Sequence, residues 1–72
     1  MFSVSLRRDD NVRHYSVDDH GAAGWEIKAE ENRTLTRHVW YHDWHRVERM
    51  LALFHREVAD LTESGWTIQS PQ

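Results

Sequence analysis

Three histidines near the middle of the chain are close enough in sequence for their imidazoles to share a metal ion. These are His38, His42 and His45. Imidazole is a common zinc ligand, but many structural zinc sites also use cysteine, and this chain has none. The sequence also offers no recognisable residues that would hydrogen-bond to three imidazoles and hold them around a metal ion. We therefore expect solvent-exposed histidines here, and neither a metal ion nor another cofactor.

Carboxylates that could act as general acids or bases occur in two adjacent pairs, at positions 9–10 and 18–19. Both pairs fall in predicted turns, where solvated acidic side chains are common. Asp43 could orient the imidazole of His42 or His45, but no serine or cysteine stands in a nucleophile motif. A small domain with few elements also offers little concave surface for a substrate. We therefore expect a protein that is not an enzyme.

The charge is distributed unevenly along the chain. The net charge of −3 argues against a surface built for duplex DNA. Residues 33–56, however, hold five arginines and four histidines against two acidic residues. Such a stretch could hold phosphates while an exposed aromatic ring stacks on an unpaired base. Binding of single-stranded nucleic acid through residues 33–56 is therefore the alternative function, ranked below protein binding because of the net charge.

Trp40 is the residue that most favours a binding surface. Strand alternation places it on the same face as His38, and that face is solvated if the opposite one covers the core. An exposed indole flanked by hydrogen-bonding side chains is typical of a protein contact surface. The sequence leaves equally open that Trp40 covers the edge of the core. The predicted binding residues are Trp40, His38, His42, Arg37, Arg46 and Arg49.

One long amphipathic helix is predicted in the carboxyl-terminal half. Asp43 is a suitable N-cap, and Gly65 followed by Trp66 predicts a Schellman ending in which Trp66 folds back toward Leu61. Charged residues fill most positions between the apolar ones. The apolar stripe consists of Trp44, Val47, Leu51, Phe54, Val58 and Leu61.

Four strands are predicted upstream of this helix, at residues 2–6, 12–17, 25–30 and 34–41. Each shows an alternation of apolar and polar residues, which is typical of an antiparallel sheet with one dry and one wet face. Residues 66–68 could add a short strand after the helix. These elements predict an α+β domain spanning residues 1–72, with a ββββα order and the helix packed on one sheet face.

The register of the third and fourth strands predicts the loop between them. A two-residue loop would place their apolar faces on opposite sides of the sheet. We therefore expect an odd loop of three or five residues, with Asn32 in a left-handed conformation. In that register Leu35, Val39 and Tyr41 point toward the helix.

No family motif is matched by residues of this chain. The predicted order of four strands and a helix is similar, in architecture alone, to single-strand-binding folds of the coactivator and plant type. Architecture by itself does not imply a function.

The function that we expect is a small, non-catalytic protein-interaction or regulatory module. Met50 and Leu53 widen the apolar surface of the helix, so a second copy of the chain could cover them and form a homodimer. No apolar run approaches the roughly 18 residues that span a bilayer. The amino-terminal residues do not resemble a secretory signal, and the lack of cysteine fits a reducing compartment. We therefore expect a cytoplasmic protein with no membrane partner.

Overall fold

A computed structural model describes residues 2–69 as a five-stranded antiparallel sheet with one long helix. The strands lie side by side in the order β4-β3-β2-β1-β5, so the first four form a meander and β5 pairs with β1. This arrangement confirms the predicted α+β fold and its short final strand. Met1 and residues 70–72 of the predicted domain lie outside the described residues. The elements are β1 (Phe2–Arg8), β2 (Asn11–Asp19), β3 (Trp25–Glu31), β4 (Thr34–Tyr41), α1 (Trp44–Glu63) and β5 (Thr67–Gln69), with a 3₁₀ turn at Gly21–Ala23.

The hydrophobic core lies between α1 and the sheet face that we call the inner face. In β1 and β3 the alternating apolar side chains point toward α1, as the sequence predicts, and in β2 Tyr15 and Val17 do so. In β4 only the residues after Arg37 follow this pattern, with Val39 and Tyr41 on the inner face. The helix contributes Val47 and Phe54, which are fully buried. The opposite, solvated side is called the outer face. The buried apolar residues are Leu6, Tyr15, Val17, Ile27, Ala29, Val47 and Phe54.

Both ends of α1 agree with the sequence pattern. The Asp43 carboxylate accepts a hydrogen bond from the amide of His45, which caps the first turn. At the other end the Trp66 amide donates to the Leu61 carbonyl at 2.9 Å, and Gly65 has a φ of 103°. These features form the predicted Schellman motif. Within residues 2–69, no helix is long and apolar enough to cross a lipid bilayer.

The turn between β3 and β4 differs from the sequence expectation. It has two residues, Asn32 and Arg33, with φ angles of 52° and 71°. The left-handed Asn32 is confirmed, but the odd loop length is wrong. Positive φ at both turn residues matches the right-handed twist of the flanking strands, which explains why a two-residue turn is favoured here.

A β-bulge at Thr36, rather than the loop length, aligns the apolar faces of β3 and β4. Glu30 pairs with Leu35 whereas Ala29 pairs with Arg37, so Thr36 is the additional residue. Leu35 consequently lies on the outer face beside Glu30 and is 49% exposed. The prediction that Leu35 points toward the helix is therefore wrong.

Arg33→Gly is expected to stabilise the domain by about 1 kcal/mol. Arg33 is exposed and holds a positive φ, which is unfavourable for a residue with a Cβ and free of strain for glycine. Urea unfolding followed by circular dichroism would measure the change. Arg33→Ala is the control, because it removes the charge but keeps the backbone penalty. Equal stability of both variants would contradict the explanation.

Candidate functional site

The Trp40 side chain lies on the outer face of β4, which is an edge strand of the sheet. It is 45% exposed, which agrees with the predicted outward orientation. Its cross-strand neighbour on β3 is Glu26, so the indole meets a carboxylate and its partners. We call this group of five side chains the outer-face cluster. It consists of Asp18, His20, Glu26, His38 and Trp40.

Glu26 is the centre of the outer-face cluster. Its Oε1 accepts a hydrogen bond from His20 Nε2 at 3.0 Å, and its Oε2 accepts one from His38 Nε2 at 2.7 Å. The hydrogen bond from His38 holds the pKa of Glu26 below its ordinary value, and Lys28 acts in the same direction. Glu26 is therefore a carboxylate that is held ionised and oriented by two imidazoles.

Aromatic contacts hold the two histidines of the cluster. The His20 and Trp40 ring centroids are 5.1 Å apart with an angle of 47° between the planes, and the His38 ring lies 6.5 Å from Trp40. His20 stands between β2 and the 3₁₀ turn, where its amide donates to the Gly24 carbonyl at 2.9 Å. The loop therefore folds back and sets His20 beside the indole.

The sequence pattern did not single out His20 or Glu26, and it assigned Asp18 to a solvated turn. Asp18 and Glu26 are direct cross-strand partners in the β2–β3 pair. The signal that could have revealed this was the strand register, since pairing of Asp19 with Trp25 leaves a five-residue connection at residues 20–24. That register was not predicted from the sequence.

The other four predicted binding residues are not part of the outer-face cluster. Arg37 is on the inner face, where its guanidinium forms an ion pair with Glu57 at 3.4 Å and lies over the Phe54 ring. Arg46 lies over the Tyr41 ring at 5.8 Å. The remaining two, His42 and Arg49, are exposed; His42 lies next to Gly24 and Arg49 is on α1. The structure thus brings Trp40 and His38 together on the outer face, whereas Arg37 lies on the opposite face of the sheet.

The three histidines considered for a shared metal do not converge. His38 bonds to Glu26, and the His42 ring lies against the Gly24 backbone. His45 is 83% exposed on α1, with its Nδ1 3.7 Å from a Glu48 oxygen. Their positions on a strand, in the following loop and on the helix explain why spacing in sequence did not bring them together.

A serine–histidine pair on the outer face could suggest nucleophilic catalysis. Ser5 Oγ lies 2.6 Å from His14 Nδ1, and Ser3 Oγ lies 3.4 Å from His14 Nε2. Both ring nitrogens therefore face hydroxyl groups, whereas a catalytic triad needs a carboxylate on one of them. We interpret the pair as a cross-strand contact that stabilises the β1–β2 hairpin.

Comparisons with known proteins identify no relative of this chain. No family model matches the sequence, and no curated protein or solved structure is detectably similar to it. The geometry of the outer face and of the β4 edge is therefore the basis for a functional proposal.

Proposed function

We propose that this domain is a non-catalytic protein-interaction module whose contact surface is centred on Trp40. The observation that supports this proposal is that Trp40, on an edge strand, is 45% exposed. Tryptophan is enriched among the residues that dominate protein interfaces, because it offers a large, rigid surface with a polar N–H. The cytoplasm is the compartment that we propose, since a chain without cysteine fits a reducing environment.

The backbone edge of β4 supplies the second part of the proposed surface. β4 is eight residues long and stands last in the sheet order, so one of its sides has no neighbouring strand within residues 2–69. An extended peptide can add to such an edge through main-chain hydrogen bonds. Leu35 and Trp40, both exposed on the outer face, would then contact alternate side chains of the added strand. We therefore propose an extended segment of a partner protein as the ligand.

The charges near Trp40 favour a protein ligand over a nucleic acid. Asp18 and Glu26 bring two carboxylates to this end of the outer face, and Lys28 is the adjacent basic residue on β3. Arg37 and Arg46, which could have held phosphates, are engaged with Glu57 and Tyr41. Binding of single-stranded nucleic acid is thus the weaker alternative, since phosphate contacts require basic side chains beside the stacking ring.

Trp40→Ala is expected to weaken partner binding about 30-fold or more, because truncation of an interface tryptophan commonly removes at least about 2 kcal/mol. Quantitative affinity capture from the source cells with wild-type and variant baits would show the loss. A photo-crosslinker placed at Leu35 should attach to the same partner, which locates the contact on β4. Circular dichroism should show that the variant remains folded.

Trp44→Ala is the matched control. Trp44 is exposed to a similar extent, at 42%, but it lies on α1 against Trp25 rather than on the outer face. Capture of the same proteins by the wild-type and Trp40→Ala baits would contradict the proposal. So would a Trp40-dependent complex that light scattering identifies as a homodimer, or salt-sensitive binding to a single-stranded oligonucleotide.

A further inference from the structure

Three side chains of the outer-face cluster are arranged as a set of metal ligands. One ligand atom from each of Asp18, His20 and Glu26 lies within 4.8 Å of the other two. They come from β2, from the loop that follows it and from β3, so the sheet and the turn bring them together. An imidazole with two carboxylates is a donor set that suits a divalent transition metal ion.

The pairing of β2 with β3 supplies an independent reason to expect a cation here. Asp18 and Glu26 are direct cross-strand partners and therefore project from the same face. Like charges in this position destabilise a sheet. Glu26 is compensated by His20 and His38, whereas the Asp18 carboxylate has no hydrogen bond or ion pair among residues 2–69. A dication bound between the two carboxylates would remove their repulsion.

We propose that Asp18, His20 and Glu26 bind a divalent transition metal ion, with Zn²⁺ as the ion that best fits the donors. Three protein ligands leave a fourth position of a tetrahedral zinc ion for water. Hard cations such as Mg²⁺ prefer oxygen ligands in an octahedral arrangement, which a histidine-containing, three-residue site does not offer.

Zinc binding needs side-chain movements and the neutral His20 tautomer with its proton on Nδ1, because the metal ion takes the place of the Nε2 proton that Glu26 accepts. Ligand atoms around a tetrahedral zinc ion lie roughly 3.3 Å apart, given bonds of about 2.0–2.1 Å. His20 Nε2 and Glu26 Oε1 are already 3.0 Å apart. The remaining ligand atoms lie within 4.8 Å of one another and must approach by up to about 1.5 Å, which the exposed His20 side chain and the partly exposed Asp18 side chain can supply by rotation.

His38 acts as a positioning residue for this site. Its Nε2 donates to Glu26 Oε2 at 2.7 Å and so leaves Oε1 directed toward His20. Ligating carboxylates are commonly held by such an outer hydrogen bond. The Trp40 ring packs against the His20 imidazole, with the ring centroids 5.1 Å apart.

Isothermal titration of the tag-free chain with Zn²⁺ would test the site without any protein partner, so its result is separate from that of the Trp40 proposal. We expect saturable 1:1 binding that Glu26→Gln and His20→Ala each weaken by about tenfold or more. His20 is in an exposed loop, so its replacement keeps the fold even if Glu26→Gln does not. Nuclear magnetic resonance of the histidine rings should show the largest shift at His20.

His45→Ala is the matched control, since His45 also lies beside a carboxylate but on α1. It should leave Zn²⁺ affinity within about twofold of the wild-type value, and Mg²⁺ should not compete. His38→Ala should weaken binding, and His38→Gln, whose amide can still donate to Glu26, should restore most of it. Zn²⁺ affinity that is unchanged in Glu26→Gln and His20→Ala, or reduced equally by His45→Ala, would overturn the proposal.

Discussion

Phe54→Ala is expected to remove about 3–5 kcal/mol from the free energy of unfolding, the usual loss for a large aromatic residue in a packed core. Phe54 is fully buried at the middle of α1, with its ring 4.9 Å from Tyr15 and 6.2 Å from Phe2. It therefore links the helix to both β1 and β2. A domain of 72 residues has a thin margin of stability, so a large fraction of the variant should be unfolded at 25 °C.

Urea unfolding followed by circular dichroism and tryptophan fluorescence would measure this loss. Leu53→Ala is the control, since Leu53 is the neighbouring residue on α1 but is only half-buried. Its replacement changes helix propensity little and should destabilise the domain by about 1 kcal/mol. If Phe54→Ala were no more destabilising than Leu53→Ala, the helix would not be anchored to the sheet by this ring.

Gly24→Ala is expected to destabilise the domain by about 3 kcal/mol, through backbone strain and a steric clash together. Gly24 is buried and has a φ of 98° with a ψ of −160°, a conformation that a residue with a Cβ rarely adopts. An added Cβ would lie 2.7 Å from the Tyr41 carbonyl oxygen and 3.1 Å from the His42 ring. The loop and the end of β4 would have to separate.

Gly21→Ala is the control for a glycine that has a positive φ but no close neighbours. Gly21 also has a positive φ, of 61°, but a Cβ there would meet no atom within 4 Å. This variant should therefore lose only the backbone part, roughly 1 kcal/mol. Thermal unfolding of the two variants beside the wild type gives the comparison. Equal losses would contradict the larger cost that we expect at Gly24.

The helix was predictable in detail because its signals are local. The apolar stripe that includes Val47 and Phe54 appears within a few turns of sequence, and the capping residues act on amides or carbonyls next to them. Asp43 and Gly65 could therefore be assigned from the sequence alone. The alternation in the first three strands is equally local, so the inward orientation of Val17 and Ile27 was also predictable.

The bulge in β4 could not be predicted from the same kind of pattern. Alternation read from Thr34 onward assigns Leu35 to the inner face, and it fails because Thr36 is inserted between two paired positions. The apolar faces of two paired strands can be placed on the same side of the sheet either by an odd loop length or by a bulge. Which of the two occurs depends on the free energy of the whole hairpin. In this hairpin the turn has two residues and a conformation that matches the twist of the strands, and one bulge aligns the apolar faces.

The candidate site also has one part that local sequence predicts and one part that depends on strand pairing. The outward position of Trp40 and His38 followed from strand alternation, so this half of the site was expected. Asp18, His20 and Glu26 come together only through the register of β2 with β3 and the path of the intervening loop.

The sequence by itself thus determined the elements, the caps of the helix and the inner faces of the first three strands, because those depend on residues a few positions apart. The tertiary structure alone decided which polar side chains became neighbours. Neighbours across a sheet depend on register, and register is selected by burial of the entire apolar face rather than by any residue within one strand.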